Sequence, residues 1–143
     1  MTTVIFHSTG TLSLNGIEIS SKTTKADFQL IFPTNEISET RSSRVRIYRA
    51  NPASVWMNYR LESCAIEIGS SCKGVGLHFV GPETSHIDSV TNCLLTKHLR
   101  NVFQPSGTVM SKSLVQFDLD ASRIDVLYDI KLGAPSVKVA FKT

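Results

Sequence analysis

Residues 11 to 20 read TLSLNGIEIS, and this stretch decides the class of fold. Apolar residues occupy alternate positions on both sides of a central Asn-Gly pair, and a period of two is typical of β-strands that bury one face. Asn-Gly suits the positive backbone angles of a two-residue type I′ turn, which places Leu14 opposite Ile17. The same turn places Leu12 opposite Ile19, so the four apolar side chains share one face. The stretch therefore predicts a β-hairpin with one buried face.

Alternating patterns of the same kind continue through most of the chain and are separated by turn residues. Gly, Pro and Asn form the breaks, because Gly adopts positive φ and Pro fixes φ. These patterns predict seven further strands, which span Phe28 to Phe32, Arg44 to Arg49, Val55 to Ile68, Leu77 to Val80, Val109 to Leu119, Arg123 to Leu132 and Val137 to Phe141. The chain is therefore expected to be rich in β-structure.

The last two of these strands are expected to form a second hairpin across residues 133–136. Alternation directs one set of side chains toward the core, namely Val126, Tyr128, Ile130, Val137, Val139 and Phe141. Lys138 and Lys142 then face water. The final residues of the sequence are therefore expected to pair within the sheet.

One segment departs from the period of two. Residues 85–103 repeat apolar side chains at spacings of three and four, which predicts one amphipathic helix. Ser85 is the expected N-terminal cap. We expect one domain spanning residues 1–143, with a mainly β, antiparallel β-sandwich or jelly-roll-like fold of about eight strands and this flanking helix. The alternative is an α+β fold in which the helix packs across an open antiparallel sheet.

Composition indicates a folded globular protein, with 41% hydrophobic and 19% charged residues. The first residues contain no basic cluster and only a short apolar run, so neither a signal peptide nor a membrane span is expected. An odd number of cysteines, three, fits a reducing compartment better than a disulfide framework. The sequence therefore predicts a cytoplasmic, nuclear or virion location, without secretion or membrane insertion.

Residues 69–76, GSSCKGVG, contain the one stretch that could be a phosphate-binding loop. Gly69 and Gly74 have the spacing of a P-loop, which next requires Lys and then Ser or Thr. However, Lys73 precedes the second Gly, and Val75 stands where the Lys is needed. We expect a mobile loop between two strands, with no bound nucleotide.

Metal-binding patterns are equally incomplete. The Cys and His residues between positions 64 and 86 are too widely spaced for the short paired motifs of zinc sites. Residues 118–129 carry oxygen atoms at several positions of a calcium loop, but Arg123 stands where Gly is needed for the turn. This acidic stretch is instead expected to be a solvated strand edge. No metal and no cofactor is therefore assigned.

Catalytic residues are not assigned either. If the chain is an enzyme, Cys72, His78 and Asp118 are the candidates, because a thiol beside a base and a carboxylate can act as a nucleophile. Nothing in the sequence places these three residues together.

Basic residues are concentrated in residues 41–60, RSSRVRIYRANPASVWMNYR, which contain five arginines and no acid. Alternation along the predicted strand places Arg44, Arg46 and Tyr48 on one exposed face, with the intervening Val and Ile on the core side. Arg binds phosphates and Tyr and Trp stack on bases, but these residue types are also enriched in protein interfaces. The candidate nucleic-acid-binding or partner-binding residues are Arg41, Arg44, Arg46, Tyr48, Arg49, Trp56, Tyr59 and Arg60. The alternative is a solvated face balanced by the acidic stretch.

Three classes of function remain. The leading hypothesis is a non-enzymatic structural or assembly protein that forms homo-oligomers through its faces and edges. A small viral coat or matrix protein that contacts RNA or an anionic membrane is one example. The second hypothesis is an RNA-binding accessory or regulatory module that uses the arginine-rich strand. The third is an enzyme of unrecognised type, and no small-molecule substrate is inferred.

Overall fold

The structure is a computed structural model, and it describes residues 3–42, 44–52, 54–81, 87–104, 107–129 and 131–142. Twelve strands lie in these ranges. In chain order they are β1 (Val4–Phe6), β2 (Leu12–Leu14), β3 (Ile17–Ile19), β4 (Ile37–Ser42), β5 (Val45–Ala50), β6 (Ser54–Trp56), β7 (Tyr59–Ile68), β8 (Cys72–Val80), β9 (Thr108–Ser111), β10 (Leu114–Asp118), β11 (Ser122–Asp129) and β12 (Ala134–Phe141). The same ranges contain two α-helices, α1 (Lys25–Ile31) and α2 (Leu94–Phe103).

Two antiparallel sheets contain these strands. β1, β2 and β3 form the small sheet in that order. The large sheet has the order β4-β5-β7-β8-β12-β11-β10-β9, and β6 pairs with β7 outside this path. β12, the last of the described strands in chain order, lies between β8 and β11 at the centre of the large sheet. The mainly β, antiparallel, sandwich-like fold predicted from the sequence is confirmed.

The predicted N-terminal hairpin forms in the predicted register. Leu12 of β2 lies opposite Ile19 of β3, and both side chains are fully buried. Asn15 and Gly16 have φ values of 53° and 78°, as the type I′ turn requires. β1 pairs with β2 and completes the small sheet.

β11 and β12 form the second predicted hairpin, with Val126 opposite Val137. The predicted inward-facing side chains in the described ranges are buried, namely Val126, Tyr128, Val137, Val139 and Phe141. Lys138 and Lys142 are exposed, also as predicted. Ile130 lies outside the described residues.

One hydrophobic core includes side chains from both sheets and both helices. Phe103, the last residue of α2, contacts Phe6 of β1 with ring centroids 6.4 Å apart. It also contacts Phe117 of β10 at 5.1 Å. The buried Tyr59 hydroxyl of β7 accepts a hydrogen bond from the backbone N–H of Leu95 in α2 at 3.2 Å. α2 therefore packs against both sheets.

Hydrogen bonds also join the small sheet to the start of β11. The buried Ser122 hydroxyl donates to the Gly10 carbonyl at 2.6 Å, and the Ala121 N–H donates to the Thr9 carbonyl at 2.8 Å. Gly10 has φ of 103°, and a side chain there would overlap the Ser122 hydroxyl. Glycine is therefore required at this position.

The strand predicted for residues 28–32 is wrong, because most of this segment belongs to α1. The Thr24 hydroxyl accepts a hydrogen bond from the Asp27 N–H at 3.2 Å, and the Asp27 carboxylate accepts one from the Thr24 N–H at 2.9 Å. This reciprocal pair is a capping box, which starts a helix. Phe28 and Ile31 then face the core from one side of the helix.

The helix predicted over residues 85–103 is shorter than expected and begins at Leu94. Cys93 is its N-terminal cap, and a short 3₁₀ turn precedes it. The predicted cap, Ser85, lies outside the described residues, whereas the predicted end at Phe103 is confirmed. Neither α1 nor α2, nor any other helix in the described ranges, is long and apolar enough to cross a membrane.

Two of the long predicted strands each contain a turn. The stretch from Val55 to Ile68 is divided between β6 and β7 by Met57 and Asn58, which both have positive φ. The stretch from Val109 to Leu119 is divided between β9 and β10. The second division creates a separate strand at the edge of the large sheet.

Residues 69–76 form a turn followed by the first half of β8. The Gly69 N–H donates to the Ser71 carbonyl at 2.9 Å and closes the turn. Gly74 and Gly76 are strand residues that pair with β12. The loop predicted for the whole segment is therefore wrong beyond Ser71.

Candidate interaction surfaces

Three arginines lie close together at the end of the β4–β5 hairpin. Arg41 lies directly opposite Arg46, and both guanidinium groups approach the same Glu39 carboxylate, at 3.7 and 3.6 Å. Arg44 lies in the turn and is exposed. We call Arg41, Arg44 and Arg46 the arginine tip. Like charges directly opposite each other destabilise a sheet, and one exposed carboxylate offsets this repulsion only in part.

The other two arginines lie elsewhere, so the five arginines do not form one surface. Arg49 lies on β5 at odd spacing from Arg46, so the two side chains project from opposite faces of the sheet. Arg60 lies near one end of β7, whereas Arg46 pairs with Ile68 at the other end. These two positions are about 26 Å apart along the strand.

The sequence predicted that the side of the arginine-rich strand carrying Arg44, Arg46 and Tyr48 faces water, and this prediction is wrong. Tyr48 has the same alternation as Arg46, but it is on the core side of the sheet and only 4% exposed. The Lys25 ammonium lies 4.8 Å from its ring centroid and covers it. Ile47, expected on the core side, is instead partly exposed on the opposite face.

The aromatic residues proposed for base stacking are not part of the arginine tip. Tyr59 is fully buried and bonded to α2, and Tyr48 is buried beneath Lys25. Neither ring can stack on a base without unfolding part of the core. The side chain of Trp56 lies outside the described residues.

The three candidate catalytic residues do not converge. Cys72 is fully buried, and burial raises the pKa of its thiol to about 11. His78 is exposed on the same strand about 20 Å along the chain. A β-bulge between Cys72 and Gly74 places the two side chains on opposite faces despite their even spacing. Asp118 is exposed, and its carboxylate forms an ion pair with the Lys142 ammonium at 2.6 Å. This contact lowers the pKa of the Asp118 carboxyl. These residues cannot act together as nucleophile, base and orienting group.

The acidic stretch between residues 118 and 129 forms no common site. Asp118 ends β10, and Asp129 ends β11 at the other end of that hairpin. Asp129 accepts hydrogen bonds from the N–H groups of Lys131 and Leu132 and so caps a turn. Among the residues that the structure describes, no group of Cys, His, Asp and Glu could hold a metal ion.

The large sheet ends in two edge strands of different character. β4 carries Glu39 and Arg41, and charged side chains on an edge strand oppose pairing with another chain. β9, at the other edge, has no charged residue among its four. Val109 is 50% exposed and Met110 is 54% exposed. β9 is therefore the edge with the weaker protection against pairing.

The sequence contained a signal for this edge strand that the strand prediction missed. The apolar residues of this stretch are interrupted by the polar run Ser111, Lys112 and Ser113, which lies where β9 ends and β10 begins. The Ser113 N–H donates to the Ser111 hydroxyl at 3.1 Å within this turn. Short polar side chains of this kind favour turns.

Comparison of the chain with protein-family models, with curated proteins and with solved structures finds no match.

Proposed function

We propose that this chain is a non-enzymatic protein that acts by self-association, with β9 pairing to β9 of a second copy. The observation that supports this proposal is the uncharged β9 edge with Val109 and Met110 half exposed. Unpaired N–H and C=O groups on an edge strand form a template for another strand. Exposed apolar side chains add surface that pairing would remove from water.

Two copies of one strand can pair about a two-fold axis when they run antiparallel. Such an interface is isologous, because both copies use the same strand and every contact between two residues occurs twice, once in each direction. The large sheet would then continue from one copy into the second. The predicted assembly is a dimer, because each chain uses its β9 edge once and the opposite edge carries charges. A viral coat or matrix assembly stays a prediction of the sequence.

Replacing Met110 with lysine should abolish this association. A lysine in β9 would place a charged ammonium group on the edge strand in place of an apolar side chain, and charged side chains on an edge strand oppose pairing. Four paired residues make a small interface, so we expect weak dimerisation that rises with protein concentration. Sedimentation equilibrium of the original protein and of Met110→Lys would measure it, with an expected loss of at least tenfold in association constant, or about 1.4 kcal/mol.

The matched control is Thr40→Lys, which places the same charge at an exposed position of the other edge strand, β4. This variant should dimerise like the original protein. A monomer at every concentration would reject the proposal, as would equal losses in both variants.

The arginine tip favours a second candidate function, which is contact with the phosphates of RNA. Arg41 lies opposite Arg46, and Glu39 is the one acid in contact with either within the described residues. Three arginines and one glutamate give this exposed hairpin end a net charge of +2. Phosphates would supply the missing negative charge, and with Tyr48 and Tyr59 buried the contact would not depend on base sequence.

Substituting Arg44 and Arg46 with glutamine should reduce the salt dependence of RNA binding. Each phosphate neutralised on a single strand contributes about 0.7 to the slope of log affinity against log salt, so losing two should reduce the slope by about 1.4. Fluorescence anisotropy with a labelled oligouridylate at several salt concentrations measures this slope. The control pair, Arg60→Gln with Arg123→Gln, removes the same charge from exposed positions outside the tip. An unchanged slope in the tip variant would exclude this site.

A further inference from the structure

The face of the large sheet that points away from the core carries a depression of about 360 Å³. We call this side of the sheet the outer face. One row of directly paired residues crosses the depression from β5 to β12, namely Arg49, Ala65, Gly76 and Lys138. Ala65 and Gly76 form a low floor because they have little or no side chain. The long side chains of Arg49 and Lys138 rise on the two sides of this floor.

The depression is not needed for the packing of the chain itself. A Cβ atom at position 76 would meet no other atom within 4 Å, and Gly76 is not among the glycines with positive φ. Glycine inside a strand lowers stability, and it often marks a place where another molecule approaches the backbone. By contrast, a Cβ atom at Gly74 would overlap the Val139 carbonyl oxygen, so that glycine has an internal reason.

Positive charge surrounds this floor. Arg49, Lys73 and Lys138 line the depression together with one acid, Glu67. Within the described residues none of the three cations forms an ion pair, although Asp125 of β11, which does not line the depression, lies directly opposite Lys138. Three cations and one acid give the lining residues a net charge of +2, and including the neighbouring Asp125 reduces it to +1. A site of this kind attracts anions.

The dimensions limit the size and shape of the occupant. Three strand spacings separate Arg49 from Lys138, which places their Cα atoms about 14 Å apart. The depth is that of one layer of side chains, and the volume falls in the range of small-molecule sites, which is about 300–1,000 Å³. A flat ring can lie on the backbone at Gly76, while an acidic group on it reaches a cation at the side.

We propose that this depression binds a small flat apolar molecule that carries a sulfonate, phosphate or carboxylate group. The site is separate from the proposed dimer edge, because β11 and β10 lie between β12 and β9. Self-association and ligand binding can therefore fail independently.

Naphthalene-1-sulfonate is a suitable probe, and naphthalene-1-methanol is its neutral counterpart. Titration followed by NMR should show saturable binding of the sulfonate at one site, with the amide shifts centred on Ala65 and Gly76. The neutral compound should bind at least tenfold more weakly, because it cannot pair with Arg49 or Lys138. Equal affinity for the two compounds would overturn the proposal, as would the absence of saturable binding or shifts centred elsewhere.

Two kinds of variant separate shape from charge. Gly76→Leu fills the space above the floor. Arg49→Gln combined with Lys138→Gln removes two of the positive charges beside it. Each variant should reduce sulfonate affinity at least tenfold. Arg60→Gln is the matched control, because Arg60 is an exposed arginine of the same sheet that does not line the depression. Since the two charge substitutions lie at exposed positions, they test the proposal even if Gly76→Leu alters the fold. Affinity unchanged in the charge variant would overturn it.

Discussion

Replacing Phe103 with alanine is expected to lower the free energy of unfolding by about 3–5 kcal/mol. The Phe103 ring contacts Phe6 in the small sheet and Phe117 in the large sheet, and it is 2% exposed. Removing it leaves a cavity where α2 joins the two sheets. Because domains of this size have a total stability of about 5–15 kcal/mol, this variant should lose a large fraction of it. Urea unfolding followed by circular dichroism measures the change.

Leu94→Ala is the control for this experiment, because Leu94 lies in the same helix but is 41% exposed. It should lower stability by less than about 1 kcal/mol, since little buried surface is lost. Similar effects of Phe103→Ala and Leu94→Ala would mean that α2 does not join the two sheets in the way described.

Replacing Gly74 with alanine should destabilise the protein by about 2–3 kcal/mol, even though the added group is a single methyl. The new Cβ would overlap the carbonyl oxygen of Val139 in β12. That oxygen belongs to the backbone of the central strand pair, so it cannot move aside as a flexible side chain can. Thermal and urea unfolding should both report the loss.

The neighbouring glycine should respond with the opposite sign. Gly76→Ala adds a methyl group to open space, and it reduces the conformational freedom of the unfolded chain. We expect a gain of about 0.4–1 kcal/mol. Equal destabilisation by both alanine variants would show that Gly76 does not have more open space around it than Gly74. The depression would then have no open floor at Gly76.

Local patterns were sufficient where turn chemistry and strand alternation agreed. The Asn15-Gly16 pair fixes both the turn and the loop length, so it determines which residues of β2 and β3 are opposite each other. The β11–β12 hairpin is similar, because Val126 and Val137 belong to alternating runs separated by a short turn. In both cases the partner strand is the next strand along the chain.

The same reasoning failed for α1 because two patterns competed. A short apolar run such as Phe28 to Phe32 fits a buried strand and also one face of a helix. The decisive information was three residues earlier, in the capping box formed by Thr24 and Asp27. Considering the start of the segment, as well as its apolar residues, would have identified the helix.

The face of β5 could not be predicted from its own sequence. Val45, Ile47, Tyr48 and Ala50 are all able to be buried, so either alternation gives a plausible core side. The position of β5 within the large sheet decides which of its faces is buried. Tyr48 lies beside Ile66 of β7, whose side chain belongs to the core. Alternation alone therefore gave the wrong direction for the arginine-rich strand.

The β9 edge and the outer-face depression depend on strand order, which local patterns do not contain. Arg49 and Lys138 are far apart in the sequence and become the two sides of one depression only because β7 and β8 separate β5 from β12. β9 is an edge only because β10 is its one neighbour in the described sheet. Both candidate sites could therefore be identified only once the order of the strands in the sheet was known.

The central position of β12 has a consequence for how the chain folds during synthesis. β4, β5, β7 and β8 form one half of the large sheet and β9, β10 and β11 the other, and β12 is the strand that joins them. The ribosome must add residues 134–141 before the two halves can meet. Until then β8 and β11 have free edges, which are prone to aggregation, so nascent chains should depend on chaperones until β12 has been synthesised.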